Sequence, residues 1–523
     1  MSQASWIDLA AASQPHQEAH ADICVIGAGA AGIYLTLQLA RQGLSVVLLE
    51  AGPAICTDAG ALGFDAFFAS APYPGATAGR FFGMGGSTSR WGGLLVPHTA
   101  YDLRAGAESS KAWSHIVNAV TDNAPHVLQQ LGYQNGPDFE EYAERLLGEP
   151  GRTLRRLGID TQAALALPFR LKNLVGLLDR LPAYVTPPRV FYNAVVNSWT
   201  VRVGEKGEPQ ITHAHAGSRS HNTLVVRAAK FVIAAGAIES ARILLEINES
   251  ASQPVLRPSA AIGCYLADHL SVPIADVAPE SLSAAVSLFS PRFSGAWMRS
   301  FRFLEQSPAH NAPRAFAHFI FSNPGKAFAL AKEVLGAIQA RRMPSVTPMA
   351  LGAGLGDLMR LAYSRFVKSA LYIPEGVPVH LQLDMEQTPI LNNRVSLLDQ
   401  KDVYGRRSVS IHWQVTDSDV LEITRTARRF LAMWPGAKTG FPCLQPRIIG
   451  SDGSKPYDAY HPVGTCRMGD DALAVVDQDL KTWGVQNLWV SSTGVLPSAG
   501  TANPTFTMLC LTHQLAENFK RMH

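Results

Sequence analysis

"ADICVIGAGAAGIYLTLQLARQGLSVVLLEAG", residues 21–52, decides the fold of this chain. An apolar strand over Ile23–Ile26 runs into the turn Gly27-Ala-Gly29-Ala-Ala-Gly32. A helix follows, and a second apolar strand over Leu44–Leu49 ends on Glu50 and Ala51. Gly27 permits the tight turn, Gly29 lets backbone approach a pyrophosphate, and Gly32 lets helix and strand pack closely. The helix start, Ala30 and Ala31 included, turns unpaired N–H groups toward phosphate. Glu50, 18 residues beyond Gly32, stands where a carboxylate accepts from a ribose diol and repels a 2′-phosphate. A glycine triplet alone is a weak signal; the complete βαβ frame with its acid specifies a dinucleotide site.

Two further segments choose the dinucleotide. "GRFFGMGGSTSRWGG" (79–93) is a second glycine-rich loop, in which Gly83, Gly85, Gly86, Ser87, Ser89, Arg90, Trp91, Gly92 and Gly93 offer backbone donors and small side chains beside a flat ring. "KFVIAAGAIESARILL" (230–245) reads as a strand, a turn at Ala235-Gly236 and a helix that returns the backbone to the nucleotide. One extended cofactor touched by several distant segments fits FAD better than a nicotinamide that must come and go.

The 523 residues exceed one ordinary core, so two or more domains are expected. Hydrophobic content of 47% against 17% charged residues describes a well-buried globular protein. The net charge of +3 and the lack of a basic block argue against nucleic acid. Six scattered cysteines without ligand or disulfide spacing point away from a metal site and toward a reducing cytosol. The start, "MSQASWIDLAAASQPHQEAHAD", reads as a leader arm and not as a signal peptide. No run of about 18 apolar residues spans a membrane. Residues 327–373 are apolar enough to touch a bilayer or a protein surface, although helices packed on the core explain them better.

Over nearly its whole length the chain resembles the glucose-methanol-choline (GMC) oxidoreductases. The matching elements run in family order: the N-terminal unit, "GMGGSTSRWGG", "AAGAIESARILL", "IGCYLADHL" (262–270), "EQTPILNNRVSLL" (386–398), "YHPVGTCRMG" (460–469) and "GTANPTFTM" (500–508). The resemblance implies an α/β fold: a discontinuous Rossmann-like FAD domain with a substrate domain built on an antiparallel sheet. The expected division is 1–165, 186–270 and 456–523 for the FAD domain, with 166–185 and 271–455 for the substrate domain. Strand-like runs between 272 and 415, "VPVHLQLDM", "RVSLLD" and "SVSIHWQV" among them, alternate apolar and polar as a half-buried sheet does. "DSDVLEITRTARRFLAMW" follows as a helix with an acidic start.

The resemblance also assigns residues. His461 matches the family's catalytic histidine and Asn503 the second member of that pair. Val196 matches a position whose backbone contacts adenine. Many relatives carry Asp where Ser492 stands, so the pyrophosphate contact of that stretch falls to amides near Gly494. In pyranose oxidases a histidine bonded covalently to flavin lies just before the tryptophan of the second loop; Arg90 stands there, so FAD is expected without a covalent bond. The tail "LPSAGTANPT" leans toward the pyranose and glycoside oxidase branch.

Oxidising an alcohol removes a hydride from carbon and a proton from oxygen. Flavin N5 takes the hydride, and a histidine with its pKa near working pH suits the proton. Asn503 cannot be a base at neutral pH, so that role falls to His461, with Asn503 holding the oxygen. Asn503 followed by Pro504 and Thr505 is also a good helix start. The N-terminus of that helix, aimed at the flavin N1–C2=O edge, stabilises the reduced ring. Asp268-His269 either orient the site wall or satisfy buried polar groups, while Cys466 and Arg467 support the loop. His98, His115, His318, His380, His412 and His513 are read as ordinary surface or core residues. The favoured function is oxidation of a sugar or glycoside hydroxyl, with O₂ or a quinone-like carrier as acceptor. A non-sugar alcohol, or a lyase of the same fold that does not turn FAD over, is the alternative.

Overall fold

The computed structural model describes residues 4–103, 110–204, 207–250, 253–308, 312–321, 355–436, 439–451 and 453–522, with isolated positions at 333, 336, 337 and 343. Its main elements are β1 Ser5–Asp8, β2 His16–Ile26, α1 Ala30–Arg41, β3 Val46–Leu49, α2 Ser110–Leu131, β4 Ile159–Ala166, β5 Arg189–Tyr192, β6 Val195–Val203, β7 Pro209–Gly217, β8 Thr223–Ile233, α3 Gly236–Ser250, β9 His269–Val277, β10 Trp297–Glu305, β11 Ala315–Phe321, β12 Val379–Glu386, α4 Asp417–Met433, β13 Leu488–Val490 and α5 Pro504–Arg521.

The first sheet has eight strands in the order β1-β5-β3-β2-β8-β7-β6, with β13 on the far half of β8. Strands β1, β5, β3, β2, β8 and β13 pair in parallel, and β8, β7 and β6 form an antiparallel meander. The parallel strands read as continuous apolar runs because both faces are covered; Val46 to Leu49 and Ile23 to Ile26 are all buried. At their carboxyl ends the loops lock together: Gly27 N–H donates to Leu49 O, Ala234 N–H to Ile26 O and Ser491 N–H to Ile233 O. This end of an open parallel sheet is where nucleotides bind.

The second sheet has nine strands, running Leu444–Pro446, β9, β12, β11, β10, β4 and Leu94–Leu95, with Arg292–Ser294 beside β10 and Tyr457–Asp458 beside β9. Its pairings are antiparallel. Strand β4 and Leu94–Leu95 lie inside the range expected for the FAD domain yet are strands of this second sheet. Arg394–Lys401 and Arg407–His412, expected in the substrate sheet, form a separate three-stranded sheet with Ala66–Phe68. Ion pairs anchor them there: Arg406 meets Glu239 and Glu246 of α3, and Asp402 meets Arg242 of α3 at 2.6 Å.

The amino-terminal stretch is not a free arm. Residues 5–8 pair with β5, and His16–Asp22 belong to the long strand β2. Most of 327–373 lies outside the described residues; its described helix, Leu355–Phe366, leaves Met359, Tyr363 and Phe366 exposed. Among the described residues no helix is long and apolar enough to cross a membrane.

The glycine turn depends on contact, not only on flexibility. A Cβ on Gly27 (φ +105°) would lie 2.6 Å from Ala234 O, and one on Gly32 would lie 1.9 Å from Gly27 O. We expect Gly32→Ala to push α1 off β2, lower stability by roughly 3 kcal/mol in urea unfolding, and yield protein without yellow cofactor. An unchanged urea midpoint would show that α1 can move at no cost.

Candidate active site

The cofactor end of the first sheet is built around Glu50. Its carboxylate accepts the N–H of Ala28 at 2.7 Å, of Gly52 at 2.9 Å and of Gly83 at 2.8 Å, so one acid ties both glycine loops together. The amide of Ala51 bears on the same carboxylate. Burial pushes the Glu50 pKa up, against the pull of those amides. Gly85 N–H donates to Ala28 O, and a Cβ on Gly86 would lie 3.0 Å from the Gly29 Cα. A Cβ on Gly29, Gly92 or Gly236 would meet nothing within 4 Å. The loops therefore pack tightly on each other while leaving open space over Gly29, where α1 turns its free N–H groups outward.

The remaining expected cofactor residues gather here or nearby. Residues 193 and 194 hydrogen-bond to the backbone of Gly52 and Glu50, which sets Val196 on β6 close to the acid. Ala235 and Gly236 follow β8 at the start of α3. Ser89 is buried, Ser87 is exposed and donates to Gly79 O, and Trp91 Nε1 donates to Lys172 O. Arg90 is exposed and lies over the Phe81 ring. Ser492 Oγ accepts the Gly494 N–H at 3.2 Å, so that amide is engaged locally by the side chain standing where relatives carry Asp.

The second cluster is the histidine pair. Tyr460, in the left-handed region at φ +62°, turns the chain immediately before His461. Asp268, fully buried, accepts the His461 N–H at 2.9 and 3.0 Å, the His269 N–H at 2.7 Å and the Tyr73 hydroxyl at 2.5 Å. His269 Nδ1 lies 3.0 Å from His461 Nδ1, and His269 Nε2 lies 2.9 Å from the carbonyl oxygen of Gly500. His461 Nε2 lies 3.4 Å from Asn503 Nδ2. Asn503 is the N-cap residue of α5 with Pro504 next, but its side chain makes no capping hydrogen bond. Helix start and reach toward His461 are thus compatible.

Asp268, His269 and His461 bring ligand-type atoms within 4.8 Å of one another, and what they form is a hydrogen-bonded chain. Burial lowers the His461 pKa to about 4, against the pull of Asp384. Burial and the neighbouring His461 lower His269 to about 3, with Asp384 and the Gly500 carbonyl opposing. Burial raises Asp268 to about 7, opposed by the Tyr73 hydroxyl and the two amides.

The strap 498–503 that carries Asn503 is bonded at nearly every residue. Glu386 accepts Ser498 Oγ and Gly500 N–H, His98 Nε2 donates to Ala499 O, Asp102 accepts Thr501 N–H and Oγ1, and Arg302 donates to Thr501 O. Alternation along β12 supplies Glu386, and with it Asp384 and Gln382 on the same face. Asp384 accepts the Ser271 hydroxyl and meets His318 Nε2 at 2.7 Å; Gln382 accepts from the Tyr457 hydroxyl at 2.8 Å. Burial raises Asp384, but His318 and Ser271 outweigh it and hold the carboxyl at about 2. None of Asp384, Gln382, Glu386, Asp102 or Arg302 was singled out from the sequence. The signal was present in the polar positions of "VHLQLDME", which in a half-buried sheet face water and here face the histidines.

Residues 389–512 match the family model described as GMC oxidoreductase, and residues 25–64 match that for an NAD(P)-binding Rossmann-like domain. The chain is 32% identical over 112 residues to C-glycoside 3-oxidase of Arthrobacter globiformis, covering 21% of this chain and 20% of that one. It is 22% identical over 408 residues to the oxygen-dependent choline dehydrogenase of Pectobacterium carotovorum, covering 75% and 65%. Pyridoxine 4-oxidase from Mesorbium loti shares the fold with a TM-score of 0.58 at 16% identity, over 96% of this chain and 99% of that one. The match to the glycoside oxidase spans about a fifth of that relative's length. The carboxyl-terminal match and the shared fold make the chain similar to GMC oxidoreductases, and the cofactor this likeness implies is FAD. The glycine loops, the space over Gly29 and the acid at Glu50 fit that cofactor.

Both imidazoles, His269 buried and His461 half-buried, should be neutral well below the usual histidine range. In histidine-labelled protein, the ring signals of His269 and His461 are expected to stay neutral down to about pH 5. A midpoint above 6 for His461 would contradict the burial that lowers it.

Proposed function

We propose that the protein oxidises an alcohol with FAD, His461 taking the hydroxyl proton and Asn503 positioning the oxygen. The observation that carries this reading is the 3.4 Å approach of His461 Nε2 and Asn503 Nδ2 from two loops. When bound, FAD supplies a hydride acceptor. A neutral imidazole is the form that accepts a proton, and burial keeps His461 in that form. An amide N–H on Asn503 holds an oxygen as it gains negative charge. Positioned base catalysis of this kind contributes roughly 10²–10⁴-fold.

A sugar or glycoside hydroxyl is the favoured substrate. The polar face of Ser271, Asp384, Gln382, His318 and Tyr457 beside the histidines offers both donors and acceptors to a polyol. The likeness to C-glycoside 3-oxidase supports the same class. Arg90, in place of a histidine, supports FAD held without a covalent bond. The proposed division is an FAD domain drawn from 1–165, 186–270 and 456–523 around a substrate domain, with Leu94–Leu95 and β4 moved to the substrate side because they are strands of the second sheet. All six cysteines are free, as in a protein of the reducing cytosol.

Anaerobic mixing of the flavin-loaded protein with monosaccharides, glycosides and aromatic alcohols tests the reading. The yellow band is expected to bleach with a sugar or glycoside, and to return with O₂ or with a quinone. A lyase would bind an alcohol and leave the band unbleached. His461→Ala should slow bleaching by roughly 10²–10⁴-fold; a loss below about tenfold removes His461 from the base role. In the parent protein the rate should fall as pH drops through about 4, because the base must be unprotonated. Asp384→Ala should cut kcat/KM for sugars by roughly 10–100-fold, leaving a simple alcohol less affected.

A further inference from the structure

The hydrogen bonds around His269 dictate where the hydrogens of both rings lie. The carbonyl oxygen of Gly500 can only accept, so His269 Nε2, 2.9 Å away, carries a hydrogen. A neutral imidazole has one N–H, which leaves His269 Nδ1 as an acceptor. His461 Nδ1, 3.0 Å from it, is then the donor. The single hydrogen of neutral His461 is thereby spent on Nδ1, and Nε2 is bare on the side of Asn503. The Asn503 NH₂ group at 3.4 Å matches a bare nitrogen, since it can only donate.

We infer that His269 is a positioning residue that fixes His461 in the tautomer with a bare Nε2, by accepting from its Nδ1–H. The inference deepens the proposed function and rests on His461 being the base. An unrestrained histidine favours the opposite tautomer, with hydrogen on Nε2, which has no lone pair to offer an alcohol there. In the proton step the substrate O–H bond breaks, its electron pair stays on oxygen, and the proton goes to His461 Nε2. The Nδ1–H of His461 does not move and remains bonded to His269.

The surrounding structure holds this geometry from several sides. Asp268 fixes the backbone N–H of both histidines. Gly500, at φ +58°, is held by Glu386 and has no room for a Cβ, which would lie 2.5 Å from the His98 ring. The titratable and charged groups facing the pair are Asp268 from its own segment, Asp384 and Glu386 from β12, His318 from β11 on Asp384, and His98 behind Gly500. The two rings meet nearly at right angles, 84° between planes, with centroids 5.2 Å apart, so they do not stack. The low pKa of His269 agrees, since a second hydrogen on that ring would leave His461 Nδ1 nothing to donate to.

The test uses flavin-loaded protein with ¹⁵N-labelled histidine, comparing the parent with His269→Leu and His269→Asn. In the parent, the ring ¹⁵N shifts of His461 are expected to report hydrogen on Nδ1 and a bare Nε2. His269→Leu removes the acceptor, so His461 should shift to the Nε2–H form and anaerobic flavin reduction should slow by roughly 10²-fold. His269→Asn places a carbonyl oxygen near the lost Nδ1, so it should retain the Nδ1–H form and stay within about tenfold of the parent rate. Melting temperature and flavin content are followed throughout, so a folding loss is separated from a tautomer change. Hydrogen on Nε2 in the parent overturns the inference, and that reading needs no variant to fold. A folded, flavin-loaded His269→Leu that keeps the Nδ1–H form and the parent rate overturns it as well. If no alcohol reduces the flavin, the proposed function fails, while the ring shifts still decide the tautomer.

Discussion

One buried carboxylate, Asp268, holds the reactive region together. It accepts a hydroxyl from Tyr73 and amides from His269 and His461, three segments far apart in sequence. A buried donor left without an acceptor costs about 1–3 kcal/mol, so three donors on one acid make a strong geometric constraint. They also keep the histidine loop from relaxing toward water. The same burial that strengthens these bonds removes charge from the two imidazoles. A neutral, oriented imidazole at His461 is therefore a consequence of how the loop is attached, not a separate property added to it.

The rest of the architecture serves to bring two surfaces to that point. Parallel strands β2 and β3 end in loops that Glu50 ties, together with the second glycine loop at Gly83, into one cradle for a dinucleotide. The antiparallel sheet turns its apolar face to an aromatic cluster, in which Phe289, Phe303, Phe319 and Trp434 pack with ring centroids 5.1–5.9 Å apart. Its other face carries Ser271, Gln382, Asp384 and Glu386 toward the histidines. The strap 498–503 crosses between the two surfaces and is bonded to β12, to Asp102 and to His98. That strap leads directly into α5, so the placement of Asn503 is fixed by both sheets at once.

Much of this was legible in the chain itself. The βαβ unit could be read because a short apolar run, a glycine turn and a terminal acid have few other uses together. His461 and Asn503 could be named because their loops keep a recognisable pattern. What escaped was everything set by long-range contact. The alternation of "VHLQLDME" correctly gives a strand with two unlike faces, but it does not say that loop 498–503 covers the polar one. "RVSLLD" and "SVSIHWQV" read equally well as strands of any sheet, and it is the ion pairs from α3 that draw them to residues 66–68. The leader-like start contains β1 and the first half of β2, because polar alternation at a sheet edge looks like an exposed arm. Asp268-His269 left two readings open, and the contacts are these: the acid accepts two buried amides, and the imidazole meets His461.

The most direct measurement is a crystal structure of the protein loaded with FAD and an unreactive alcohol. The expected result places the edge of the isoalloxazine beside His461 and Asn503, with the alcohol oxygen within hydrogen-bonding distance of both His461 Nε2 and Asn503 Nδ2. A flavin ring lying more than about 10 Å from that pair, or an alcohol bound with its oxygen turned away from both side chains, would contradict the chemistry assigned to them.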